Sequence, residues 1–180
     1  MTATIHMILG PMFSGKSTTL MKLIKHYKIS NAKCMLITHT LDKRYTNGNQ
    51  VSSHDGEKMS AVSVIRLKDV NYDNLMNCDI IGVDEGQFFP DVVEFANEWV
   101  DRGKVIILAG LDGTFDRKPF GQLLNVIPFA DTVEILSAVC VNCGATAPFS
   151  KRLNKDNVSE KYIGGVETYA PMCRTCFERK

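Results

Sequence analysis

No apolar run in the 180 residues approaches the roughly 20 needed to span a bilayer. The first residues, Met1-Thr2-Ala3-Thr4, lack the basic stretch of a secretory leader and run straight into a candidate strand, so an intracellular, cytoplasmic protein is expected. Charge of one sign is also lacking. Lys and Arg number 21 against 20 Asp and Glu, for a net charge of +1, which gives no electrostatic reason to expect a nucleic-acid surface. There is no internal repeat and no low-complexity segment. The hydrophobic fraction of 44% is ordinary for one folded domain with a small appendage. Six cysteines in a reducing compartment argue against a disulfide framework.

What is present begins near the N-terminus. Gly10-Pro11-Met12-Phe13-Ser14-Gly15-Lys16-Ser17 reads G-x-x-x-x-G-K-S, the phosphate-binding P-loop. Its context fits: Ile5 to Leu9 is a short apolar strand, and Leu20, Leu23, Ile24 and Tyr27 recur at helical spacing after it. Glycines let backbone N–H groups turn toward a polyphosphate, and the helix N-terminus adds partial positive charge. Lys16 is placed to reach the terminal phosphates and the Ser17 hydroxyl to sit on magnesium.

Further apolar runs predict strands at Lys33–Thr38, Ala61–Ile65, the segment ending at Asp84, Lys104–Gly110 and Thr132–Leu136. Helices are predicted at Asp69–Asn77, at Phe88–Arg102 with Pro90 in its first turn, and at Gly121–Val126. His39 to Gly56 reads as a long polar loop in which His54 is an exposed histidine, and Cys34 and Cys78 read as core. Alternating strands and helices imply a parallel sheet covered on both faces, with its ligand at the carboxyl ends of the strands. The strand ending in Asp84-Glu85 supplies an acid where a P-loop domain needs one for magnesium, although Asp84 could instead cap the following helix.

The last quarter differs. Cys140-x-x-Cys143 and Cys173-x-x-Cys176 suit a four-thiolate zinc site; full ligation leaves no open position, so the metal is structural, the other reading being four free thiols. The long gap from Gly144 to Met172 makes this a staple at the base of a loop. The expected division is a P-loop α/β domain over 1–138 and a small zinc-stapled lasso, or lid, over 139–180.

These motifs converge. The chain resembles the type II thymidine kinases, the vertebrate cytosolic and poxvirus kind, in Gly10 to Thr18, Asp42-Lys43-Arg44-Tyr45, Asp84-Glu85-Gly86-Gln87-Phe88-Phe89-Pro90-Asp91, Leu111 to Phe115, Arg117 to Phe120, Ser150 to Leu153, Ile163-Gly164-Gly165 and both cysteine pairs. The resemblance implies a P-loop NTPase-like fold and transfer of the ATP γ-phosphate to the 5′-hydroxyl of thymidine. It implies an ATP site of Gly10, Pro11, Met12, Phe13, Ser14, Gly15, Lys16, Ser17, Asp42, Lys43, Arg44, Asp84, Glu85, Gly86 and Gln87, with Glu85 as general base and Lys16 also catalytic. It places Met12, Leu111, Phe115, Ser150, Tyr162, Ile163, Gly164, Gly165, Val166 and Tyr169 around the nucleoside. It further implies magnesium with ATP, structural zinc, a homotetramer and feedback inhibition by thymidine triphosphate, with neither nucleic acid nor membrane as partner. The early stop after Cys176, short of the vertebrate C-terminal extension, points to a viral or bacterial source. The competing class is a nucleic-acid-binding P-loop ATPase that uses the four cysteines as a zinc ribbon. Lys151, Arg152, Lys155 and Lys161 would begin its basic face, diluted by Asp156 and Glu160.

Overall fold

The computed structural model describes residues 2–41, 50–52, 58–153 and 167–179. Strand β1 (Thr4–Leu9) leads through the P-loop into helix α1 (Lys16–Ile29) and then β2 (Cys34–His39). A hairpin of β3 (Gln50–Ser52) and β4 (Lys58–Ser60) precedes β5 (Val62–Val64). Next come α2 (Tyr72–Met76), β6 (Ile80–Val83), α3 (Val92–Asp101), β7 (Val105–Gly110) and β8 (Thr132–Ile135). The C-terminal part holds β9 (Ala138–Val139), β10 (Thr146–Ala147), β11 (Phe149–Arg152), β12 (Tyr169–Met172) and α4 (Arg174–Glu178).

Six strands form one sheet in the order β5-β2-β6-β7-β1-β8, and every neighbouring pair is parallel, as expected from the apolar runs. Alternation along the strands sorts the core into two layers. Ile5, Met7 and Leu9 of β1 with Ile106 and Leu108 of β7 face Phe95, Ala96 and Trp99 of α3. Ile8, Ile107 and Ala109 face the other way, onto Leu20, Met21 and Ile24 of α1. Met21, which the helical spacing had not singled out, is wholly buried. Gly82 in β6 lets α1 lie close, since a Cβ there would stand 2.6 Å from Ile24 Cδ1.

Several boundaries differ from expectation, among them the helix predicted at Asp69–Asn77, which spans Tyr72–Met76 with Asp69 in a 3-10 turn before it. The helix predicted from Phe88 starts at Val92: Gly86–Phe88 is a 3-10 turn, Phe89 buries its ring, and Pro90 lies outside the helix. Asp91 at the head of α3 gives its carboxylate to the Leu67 and Lys68 amides, tying that helix to the segment before α2. The segment predicted as a helix over 121–126 is a 3-10 stretch, Leu123–Phe129, with Pro128 inside it. The polar loop of 39–56 contains β3, whose Val51 is buried against the α1 layer. His54 lies outside the described residues. Cys78 is buried and Cys34 half-buried, and burial raises both thiols above their ordinary pKa, as core positions should.

Candidate functional site

The P-loop follows from how β1 ends. Gly10 turns the chain with φ +147°, and a Cβ at this position would meet the Leu136 carbonyl oxygen at 2.5 Å. Gly15 takes the left-handed φ of +85° with nothing near its missing side chain, so conformation alone calls for glycine. Helix α1 then starts at Lys16, with Gly15 O accepting from Thr19 N at 2.9 Å. The Ser14 hydroxyl and Lys16 Nζ both donate to the Pro11 carbonyl, at 2.8 and 2.6 Å, so the ammonium lies across the loop. The N-cap of α1, Gly15, brings no capping side chain, and the first turn carries no acid. Its dipole thus faces the loop uncompensated.

Asp84 and Glu85 follow β6. Asp84 is buried and is no cap for α3: its carboxylate accepts from the Glu85 amide at 3.1 Å. Glu85 sits in the left-handed region at φ +54°, which turns its side chain away from the strand direction. Gln87, 3% exposed, donates through Nε2 to the Glu85 carboxylate and accepts from Leu111 N at 2.9 Å through Oε1. A carboxylate needs a donor and an amide N–H an acceptor, so the two contacts fix the amide orientation. Gly110, at the end of β7, completes this arrangement, because a Cβ there would meet Gln87 Oε1 at 2.5 Å. Gly110 is also in register with Leu9, the last residue of β1. The acidic pair and the P-loop therefore flank the carboxyl end of one strand.

Thr38 belongs to the same region. Its hydroxyl is buried and has no hydrogen-bond partner among the described residues. Leu36, two residues earlier, packs in the α1 layer, and a Cβ on Gly82 would touch that layer too, so Thr38 and Asp84 continue one face at the strand ends. The Asp84 amide donates to Ile37 O at 2.9 Å. An unsatisfied hydroxyl and a buried carboxylate at neighbouring strand ends are hard-oxygen donors of the kind that fit hydrated magnesium. Sequence reading passed over Thr38; the available signal was a hydroxyl at the end of an otherwise apolar run.

The C-terminal part joins this site directly. Met12 N donates to Ser150 Oγ at 2.8 Å, and Phe13 packs against the small core of Ala138, Ala147, Ala170 and Met172. Tyr169 is buried opposite Arg152 in the β11–β12 ladder. The Arg152 guanidinium lies 5.2 Å over the Phe115 ring. A cavity of about 290 Å³ is lined by Pro11, Thr114, Phe149 and Ser150. Of the predicted nucleoside residues, Met12 and Ser150 meet at the P-loop, Leu111 holds the Gln87 bridge, and Phe115 and Tyr169 both neighbour Arg152. Asp42, Lys43, Arg44 and Tyr162 to Val166 lie outside the described residues.

The ligand atoms of Cys140, Cys143, Cys173 and Cys176 all lie within 4.8 Å of one another, and Cys143 Sγ is 3.6 Å from Cys173 Sγ. Four thiolates about 2.3 Å from a tetrahedral zinc stand at such separations. Backbone N–H groups, that of Cys173 foremost, hold the Cys140 thiol down to about 6. Hydrogen bonds with Cys173 and Cys143 push Cys176 up to about 12. Four thiols this close together are a donor set that a divalent cation would deprotonate on binding.

The fold and the P-loop define the class: an α/β protein with a P-loop NTPase-like parallel sheet, to which a four-cysteine element is attached. Comparison narrows it. The family model described as thymidine kinase matches residues 3–177. The sheeppox virus thymidine kinase is 49% identical over 173 residues, covering 96% of each chain. That of Yaba monkey tumor virus is 47% identical over 96% of this chain and 93% of its own. The human cytosolic thymidine kinase is 45% identical over 98% of this chain and 74% of its own. The chain belongs to the thymidine kinase family. No helix among the described residues is long and apolar enough to cross a membrane.

Proposed function

We propose that the chain transfers the γ-phosphate of ATP to the 5′-hydroxyl of thymidine. The observation that carries this reading is the Met12–Ser150 hydrogen bond, which joins the donor-phosphate loop to the segment expected to hold the nucleoside. Donor and acceptor sites built from touching elements let two substrates meet in a fixed orientation, which can account for several kcal/mol of a barrier. Glu85, aimed by Gln87, takes the proton of the 5′-hydroxyl as the O5′–P bond forms and the bond to the β-phosphate oxygen breaks. Lys16 exchanges the neutral Pro11 carbonyl for a charged phosphate oxygen, and the P-loop amides hold the rest of the polyphosphate. Magnesium would supply charge neutralisation at the phosphates; Ser17 and Asp84 are the residues that would hold it, and the Thr38 hydroxyl, unpartnered among the described residues, would be available to its hydration shell. Zinc at the four cysteines is structural.

Asp42 to Arg44 complete the ATP site on this reading, and Tyr162 to Val166 read the base through the backbone. The division near residue 138, a homotetramer, inhibition by thymidine triphosphate and a cytoplasmic location belong to the same reading and rest on the resemblance. The zinc-ribbon alternative needs a basic face turned to solvent. Arg117, Lys151, Arg152 and Arg174 instead lie over rings of the chain itself. The deciding experiment measures ATP turnover with thymidine and, separately, with single-stranded DNA. Stimulation by thymidine with formation of thymidine monophosphate is expected. Stimulation by DNA alone would overturn the proposal.

A further inference from the structure

Loop 112–120, which follows β7, is closed on itself. Gly113 bridges Pro119, and Thr114 N donates to Lys118 O at 2.9 Å. Arg117 N donates to Thr114 O at 2.9 Å, and Lys118 N to the Thr114 hydroxyl at 3.2 Å. Arg117 stands at the tip in left-handed backbone, φ +62°, a conformation that a long side chain rarely takes unless its surroundings hold it. Those surroundings are α4. The guanidinium donates to Glu178 Oε1 at 2.6 Å, lies 4.7 Å over the Phe177 ring and reaches Phe149 at 5.6 Å.

Helix α4 is itself pinned. Lys151 donates to the Phe177 and Arg179 carbonyls at 2.7 and 3.0 Å, the Phe149 and Phe177 rings meet edge to face, and Arg174 covers Phe149 at 5.0 Å. Cys176, one of the four clustered thiols, precedes Phe177 on the same turn. A continuous set of contacts therefore runs from the cysteine cluster through Phe177 and Glu178 to Arg117, and along its rigid loop to Phe115.

We propose that Arg117 is a positioning residue for the nucleoside: it latches the Phe115 loop to α4, so that the zinc-stapled segment sets one wall of the nucleoside pocket. The proposal rests on the reading that Phe115 contacts the nucleoside. An exposed ion pair alone would do little, since the Arg117 and Glu178 side chains are 37% and 58% exposed. Here the same guanidinium also covers aromatic rings, which strengthens the hold and orients it.

The test is steady-state kinetics on the full chain with zinc bound. Arg117→Ala should raise the KM for thymidine by between about 3-fold and 20-fold, the range for losing its ring contacts and one exposed ion pair together. The KM for ATP should stay within about twofold, because the P-loop keeps its own contacts, and zinc content should be unchanged. Arg117→Lys should recover part of the loss, keeping the charge over the rings but not the forked geometry. Arg117→Ala combined with Glu178→Ala should be no worse than Arg117→Ala alone. Phe115→Ala is the control for the underlying reading, and if it leaves the thymidine KM unchanged, the placement of Phe115 is wrong. If Phe115→Ala raises it while Arg117→Ala does not, the latch is wrong. Equal rises in both KM values, or loss of zinc in Arg117→Ala, would reduce Arg117 to a general stabilising role and overturn the proposal. Where Arg117→Ala fails to fold, Glu178→Gln decides: a raised thymidine KM supports the latch and an unchanged one refutes it.

Discussion

Replacing Gln87 by leucine keeps the size of the side chain and removes both of its hydrogen bonds. The bond to Glu85 engages a charged group, and such bonds contribute about 1.5–3 kcal/mol, against about 0.5–1.5 for the neutral one to Leu111 N. Glu85 is only half-buried, so water will replace part of the first. A destabilisation of about 2–3 kcal/mol is expected after that discount. Relief of the left-handed strain at Glu85, φ +54°, offsets some of it. The kinetic effect is separate. A base that loses the Gln87 amide donor turns toward solvent, and a displacement of about 1 Å can lower the rate about 10²-fold. The reasoning thus expects kcat to fall about 10- to 100-fold, with the KM for ATP little changed. Gln87→Glu separates the two bonds: it keeps an acceptor for Leu111 N and places a second carboxylate against Glu85, so it should lose activity at least as severely while losing less backbone order. The assays are urea denaturation and initial rates at saturating substrate. A Gln87→Leu protein with the predicted loss of stability and an undiminished kcat would refute the claim that Gln87 aims the base.

Lys16→Ala removes the charge directed at the transferring phosphoryl group and should abolish turnover while circular dichroism stays unchanged; near-normal turnover at saturating ATP would contradict the P-loop assignment. Gly82→Ala puts a methyl group 2.6 Å from Ile24 Cδ1, with Leu20 and Leu36 also in contact, and should lower stability by about 1–3 kcal/mol without altering either KM, measured by chemical denaturation. Cys173→Ser, or removal of zinc by a chelator, should weaken thymidine binding well beyond ATP binding and leave most secondary structure intact; a metal-free protein with normal thymidine affinity would confine the cysteines to stability.

Much of the fold was legible because a parallel sheet buries both faces of its strands. β6 and β7 are buried throughout, and such strands read as unbroken apolar runs. β8 was legible although all four of its residues are exposed, because its Val133 and Ile135 are apolar at the open edge of the sheet. The start of α3 was not legible: Phe88 and Phe89 continue the apolar spacing of a helix, yet they belong to a turn that wraps the end of β6 and packs against His39. The β3–β4 hairpin was hidden in a polar segment, since Val51 alone is buried among its described residues. The P-loop, the acidic pair and the cysteines announced themselves through spacing. Thr38, Gln87 as a bridge and Arg117 as a latch did not, because their roles come from neighbours up to 61 residues away.

The strand order has a consequence for how the chain acquires its site during synthesis. β1 lies between β7 and β8, and both of these come from the second half of the chain. The first strands to emerge, β1 and β2, cannot pair with each other, because β6 and β7 fill the space between them. Gly10 rests against the Leu136 carbonyl, and Leu136 N donates to Leu9 O at 2.8 Å. A nascent chain shorter than about 136 residues therefore has the phosphate-binding sequence without the shape that makes it bind, and the long wait leaves apolar strands exposed to chaperones or to one another.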